Sequence, residues 1–76
     1  MATVTLYTKP DCSLCDDARE ALERVRARRP FEFNMVDITT DERLEQRYRE
    51  RIPVIAVDGR DAFDYHVDEG ALENML

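Results

Sequence analysis

The chain has 76 residues, 43% of them hydrophobic and 37% charged, with a net charge of -6, two cysteines and no tryptophan. That length supports one small domain (1-76), in which roughly 60% of the unfolded surface is buried on folding. Two cysteines are too few for a disulfide scaffold. The acidic balance excludes nucleic acid as an expected partner, since phosphate binding needs a basic face. No apolar run approaches the roughly 20 residues of a bilayer span, and no charged-then-apolar leader opens the chain, so no membrane partner and a cytoplasmic location are the expectation.

Thr3-Val4-Thr5-Leu6-Tyr7 alternates as a strand, with Val4 and Leu6 on one face. Thr8-Lys9-Pro10-Asp11 turns the chain. A helix then runs from Asp11 or Cys12 to Arg28, with Ala18, Ala21, Leu22 and Val25 at helical spacing and Pro30 closing it. Asp16 and Asp17 near its start and Arg24, Arg26, Arg28 and Arg29 near its end suit the helix macrodipole. Phe31 to Asp37 is the second strand, placing Phe31, Phe33 and Met35 on one side, and a strand–helix–strand crossover of this kind is parallel. Thr39-Thr40-Asp41-Glu42 reads as a capping box with Thr39 at the cap. The short, charged helix it opens is anchored by Leu44 and Tyr48 and stops near Arg51, because Pro53 biases Ile52 away from helical geometry. Its arginines, Arg43, Arg47, Arg49 and Arg51, read as a solvated face from which one could meet a substrate carboxylate.

Pro53-Val54-Ile55-Ala56-Val57 is apolar throughout, as expected of a strand buried on both faces. Asp58-Gly59 is a strong hairpin signal, and it returns the chain through Arg60 to Tyr65. Asp68 caps a last helix reaching Leu76, with Leu72, Met75 and Leu76 on its apolar side. The element order is β-α-β-α-β-β-α, an α/β architecture with a four-stranded mixed sheet and three helices.

Cys12-Ser13-Leu14-Cys15 lies at the first strand-to-helix junction. Helix N-terminal amides are unpaired and the macrodipole is positive there, so a thiolate at Cys12 is stabilised. Cys15 is one turn further in, within reach of a mixed disulfide formed at Cys12. A C-x-x-C on such a unit reads as a thioredoxin-like redox motif. Two other readings of the pair are an inert dithiol and a metal site. Zinc wants four ligands, and beyond the thiols only His66 offers a nitrogen, so a site shared between chains would be needed.

The run Thr5 to Cys15, with its Lys9-Pro10-Asp11-Cys12-Ser13-Leu14-Cys15, resembles the opening of the glutaredoxins, and Arg51-Ile52-Pro53-Val54-Ile55 resembles their threonine-valine-proline segment. The likeness is to small bacterial glutaredoxin-like proteins with a C-S-L-C motif, and it spans nearly the whole chain in element order. It implies a thioredoxin-like (glutaredoxin) fold and a thiol–disulfide oxidoreductase without a tightly bound cofactor. It further implies Cys12 as nucleophile, Cys15 as resolving thiol and Pro53 as a cis-proline facing them. Ile52 would offer its backbone to an extended substrate, and Lys9 would supply positive charge near the thiolate. Partners implied are protein or small-molecule disulfides, with glutathione or a thioredoxin-reductase-type flavoprotein as reductant; a monomer is expected. Glutaredoxins commonly place Gly-Gly where this chain has Asp64-Tyr65, and Asp11, Asp16 and Asp17 surround the motif, both unfavourable to glutathione. Asp68 stands where the family places a glutathione-binding aspartate, and it doubles as a helix cap. A non-enzymatic binding module on the same fold is the alternative.

Overall fold

The computed structural model describes residues 1–76. The elements are β1 (Thr3–Thr8), α1 (Ser13–Arg28), β2 (Glu32–Asp37), α2 (Glu42–Tyr48), β3 (Val54–Val57), β4 (Arg60–Asp64) and α3 (Glu69–Met75), with a 3-10 turn at Ile38–Thr40 before α2. The sheet order is β2-β1-β3-β4. β1 runs parallel to β2, with Thr3 opposite Glu32, and antiparallel to β3, with Leu6 opposite Ile55.

The alternation in β1 drives the layering. Val4 and Leu6 are fully buried and pack with Ile55 and Val57 of β3, Ala18, Leu22 and Val25 of α1, Phe31, and Leu72 of α3. This core therefore sits between the sheet and the α1–α3 pair, which is also strapped outside by Arg24 and Arg28 paired to Glu69 and Glu73. On the other face Tyr7 of β1 stacks on Tyr48 of α2 with ring centroids 4.5 Å apart. Val54 and Ile38 complete a second apolar cluster there. All four residues of β3 are buried, which its unbroken apolar run required.

Local chemistry explains the boundaries. Asp58 (φ 51°) and Gly59 (φ 84°) are both left-handed, as a two-residue hairpin turn of matching twist requires. The Asp58 side chain also accepts the Thr3 N–H at 3.0 Å, tying the turn to β1. Asp68 caps α3, accepting the Ala71 N–H at 3.0 Å.

Four expectations need correction. Thr39 caps nothing: Asp37 accepts its N–H and hydroxyl in the 3-10 turn, and Asp41 is the cap of α2, accepting the Arg43 N–H at 2.8 Å. Thr39 lies inside the 3-10 turn that Asp37 caps, and because that turn ends at Thr40 and α2 starts at Glu42, Asp41 is the residue at the N-cap position. α2 ends at Tyr48, and the chain reaches Arg51 through a turn in which the Arg51 N–H meets the Tyr48 carbonyl at 2.8 Å. Met35 is 53% exposed, because β2 is an outer strand whose cover ends with Phe31 and Phe33. Met75 is 48% exposed, leaving the apolar side of α3 to Leu72 and Leu76.

Candidate active site

The left-handed backbone of Asp11 (φ 58°) turns the chain out of β1 so that Cys12, in extended geometry, becomes the N-cap of α1. In that position a side chain faces the orphan amides of the first helical turn. The Cys12 Sγ accepts the Cys15 N–H at 3.2 Å, the bond a serine or aspartate oxygen makes at most helix starts. The two sulfurs are joined in a disulfide with Cα atoms 5.2 Å apart. Cys15 is 3% exposed and belongs to the second apolar cluster, whereas Cys12 is half-buried at its edge. An attacking partner therefore meets Cys12 first. Leu14, between them, is 39% exposed.

The segment before β3 lies against the pair. Ile52, 7% exposed, and Val54 share the apolar cluster of Cys15 and Tyr48, with Cys12 packed on it. The Ile52–Pro53 bond is cis, and the Pro53 carbonyl accepts the Tyr65 N–H at 2.8 Å. Neither the N–H nor the C=O of Ile52 takes part in a hydrogen bond within the chain. The structure thus brings Cys12, Cys15, Ile52 and Pro53 together. Lys9 is exposed on the β1–α1 loop and forms no ion pair, and its exposed neighbours Asp11, Asp16 and Asp17 leave this rim acidic.

One constellation escaped the sequence reading. Arg51 does not lie on a solvated helix face. Its guanidinium donates to Asp64 Oδ2 at 3.1 Å, Asp64 Oδ1 at 3.0 Å and Asp61 Oδ2 at 3.3 Å, and it lies 5.5 Å from the centre of the Tyr48 ring. Hydrogen bonding to Asp64 raises the Arg51 pKa further above its ordinary value. The Tyr48 hydroxyl donates to Asp61 Oδ1 at 3.1 Å, and burial, followed by that carboxylate, pushes the Tyr48 pKa up to about 12. Asp61 and Asp64 should lie on opposite faces of a regular strand. A bulge in β4 sets Phe63 opposite Ile55 and Asp61 opposite Ala56, so the two carboxylates share a face. The available signal was the odd spacing of two acids after an arginine next to Ile-Pro; without the bulge it could not be used.

Asp64 and Tyr65, which stand where glutaredoxins commonly place Gly-Gly, both have partners within the chain, and Tyr65 remains 45% exposed. Asp64 is held by Arg51, and Tyr65, left-handed at φ 66°, donates its hydroxyl to the Glu50 carbonyl. A groove of about 180 Å³ runs beside them between α1 and the start of α3, lined by Ala18, Ala21, Val67, His66 and the paired Arg24 and Glu69. No three His, Cys, Asp or Glu side chains converge as a metal site, and no helix is long and apolar enough to cross a membrane.

A mixed four-stranded sheet with a C-x-x-C at the mouth of α1 and a cis X-Pro bond beside it is the thioredoxin-like fold, and the close cysteine pair supports a redox role. Residues 3–76 match the family described as Glutaredoxin-like domain (DUF836), and the chain belongs to that family. The crystal structure of target protein XcR50 from X. campestris is 40% identical over 95% of this chain and 92% of its own, with a TM-score of 0.78. Protein Ne2328 from Nitrosomonas europaea superposes with a TM-score of 0.88 at 22% identity, over 99% of this chain and 91% of its own. The glutaredoxin-like NrdH-redoxin from Escherichia coli shares the fold at 23% identity and a TM-score of 0.67, over 97% and 93% of the two chains.

Proposed function

We propose that this protein is a thiol–disulfide oxidoreductase acting on protein or small-molecule disulfides. The observation that carries the reading is the asymmetry of the pair: Cys12 caps α1 and is reachable, while Cys15 is buried behind it. In the reduced protein the Cys12 thiolate is favoured by the first-turn amides and the positive end of the helix. It attacks one sulfur of a substrate disulfide, forming a mixed disulfide and expelling the other sulfur as a thiolate that takes a proton. The Cys15 thiol gives up its proton and attacks the Cys12 sulfur, breaking the mixed disulfide and releasing the second substrate thiol. The substrate gains two electrons and two protons, and the protein is left with the Cys12–Cys15 disulfide. The N–H and C=O of Ile52, unpaired within the chain, pair with an extended substrate segment in the manner of strand addition, next to the buried Pro53, and Lys9 supplies the one positive charge on the rim.

The protein works as a monomer in a reducing compartment such as the cytoplasm, with no tightly bound cofactor. Its disulfide is reopened by glutathione or by a thioredoxin-reductase-type flavoprotein. The flavoprotein is favoured by the acidic rim and by a side-chain-bearing Tyr65 at the left-handed position before α3. NrdH-redoxin is described as a glutaredoxin-like protein with a thioredoxin-like activity profile, and this chain fits the same combination.

The test reduces the protein, removes the reductant and adds a disulfide substrate. Wild type consumes its two thiols, Cys12→Ser is inert, and Cys15→Ser accumulates a covalent complex. Failure of the wild-type dithiol to react would leave the binding-module reading, and faster alkylation of Cys15 than of Cys12 across pH would reverse the assigned roles. Supplying the oxidised protein with glutathione or with the flavoprotein in parallel identifies the reductant.

A further inference from the structure

The backbone asked to receive substrate, Ile52 and Pro53, lies in a loop before β3 begins. A loop edge presents a fixed pairing geometry only if something holds it. Here the hold comes from the end of β4. The Tyr65 N–H binds the Pro53 carbonyl at 2.8 Å and the Tyr65 hydroxyl binds the Glu50 carbonyl, one bond on each side of Ile52. Between them the Arg51 guanidinium spans Asp64 and Asp61, and Asp61 is itself fixed by the Tyr48 hydroxyl. A lone exposed ion pair holds little. This one is a two-toothed fork on Asp64 with a third bond to Asp61, laid against an aromatic ring, with the Arg51 side chain 39% exposed. Arginine's planar fork suits that task and lysine's point charge does not.

We propose that Arg51 is a positioning residue: by clamping the Glu50-to-Pro53 segment to β4 it fixes the free peptide edge of Ile52 opposite Cys12, and so favours extended peptide disulfides over small ones. The inference rests on the oxidoreductase reading above. Arg51 contacts neither sulfur. Its effect is therefore confined to substrates that possess a backbone to pair with, which separates positioning from general destabilisation.

The experiment mixes pre-reduced protein with a cyclic peptide disulfide or with bis(2-hydroxyethyl) disulfide and measures the second-order rate of thiol loss by acid quench and maleimide labelling. Wild type reacts with both; reaction with neither defeats the oxidoreductase reading before Arg51 is tested. With wild type active, Arg51→Gln lowers the rate with the peptide about tenfold, the effect of losing one or two net hydrogen bonds. The rate with the small disulfide and the pH profile of Cys12 alkylation stay as in wild type, and Arg51→Lys lies between. Equal losses with both substrates, or no loss with the peptide, overturn the proposal. Should Arg51→Gln fail to fold, Asp64→Asn, which keeps the Asp61 bond, shows the same selective loss at smaller size, and a parallel loss there is equally fatal.

Discussion

Replacing Tyr48 by phenylalanine removes one hydroxyl and keeps the ring stacked on Tyr7. Tyr48 is 3% exposed, and its hydroxyl donates to Asp61 at 3.1 Å. Near neutral pH the loss costs about 1 kcal/mol, since Asp61 keeps Arg51 as a partner. At alkaline pH the sign changes. Burial first, then the Asp61 hydrogen bond and charge, raise the Tyr48 pKa to about 12, against about 10 in the unfolded chain. A raised folded pKa means the stabilisation is whole below pH ~10 and is lost as pH climbs through ~10 to ~12. Two units correspond to about 2.7 kcal/mol in full, and about 1.4 kcal/mol is already gone at pH ~11. Phenylalanine cannot ionise, so the variant is the less stable protein at neutral pH and the more stable one beyond about pH 11. Urea unfolding of the two oxidised proteins across this range, at fixed ionic strength, measures the difference, in which their shared titrations cancel. Tyrosinate absorbance gives an independent reading: the late ionisation of Tyr48 in wild type is missing from the variant. A stability difference that stays constant from neutral pH to pH ~11 would refute the argument that burial governs this hydroxyl.

Leu22 is fully buried between the sheet and α3, so Leu22→Ala should cost about 2–5 kcal/mol; set against roughly 4–11 kcal/mol for a chain of this size, calorimetry should find a much lowered or absent transition. Gly59→Ala should cost about 1 kcal/mol in urea unfolding, purely from its φ of +84°, because an added Cβ meets nothing within 4 Å. Glu69 has its pKa lowered, first by the hydrogen bond from Arg24, so its contribution is present above the ordinary glutamate range and is lost as pH falls through the lowered value. Wild type and Glu69→Gln should accordingly differ in thermal stability at neutral pH and converge in acid; an unchanged gap at acid pH would show that the ion pairs to α1 are not its source.

What the sequence alone determined was whatever depends on near neighbours along the chain. The alternation of Val4 and Leu6, the helical spacing from Ala18 to Val25 and the apolar run Val54 to Val57 each declare a buried face, because side-chain direction repeats with a fixed period in helix and strand. Asp58-Gly59 and Asp68 declare a turn and a cap through bonds that reach only a few residues. The spacing of Cys12 and Cys15 at a strand-to-helix junction belongs to the same class, and so the dithiol was legible before any coordinates. The exposure of Met35 depends on β2 being an outer strand, a fact of sheet order. The choice of Asp41 over Thr39 depends on where the 3-10 turn ends. The clamp of Arg51 on Asp61 and Asp64 depends on a bulge that turns two acids three apart onto one face, and on β4 lying next to β3. Those contacts join residues distant in sequence, and only the tertiary structure decides which of the available carboxylates an arginine will meet.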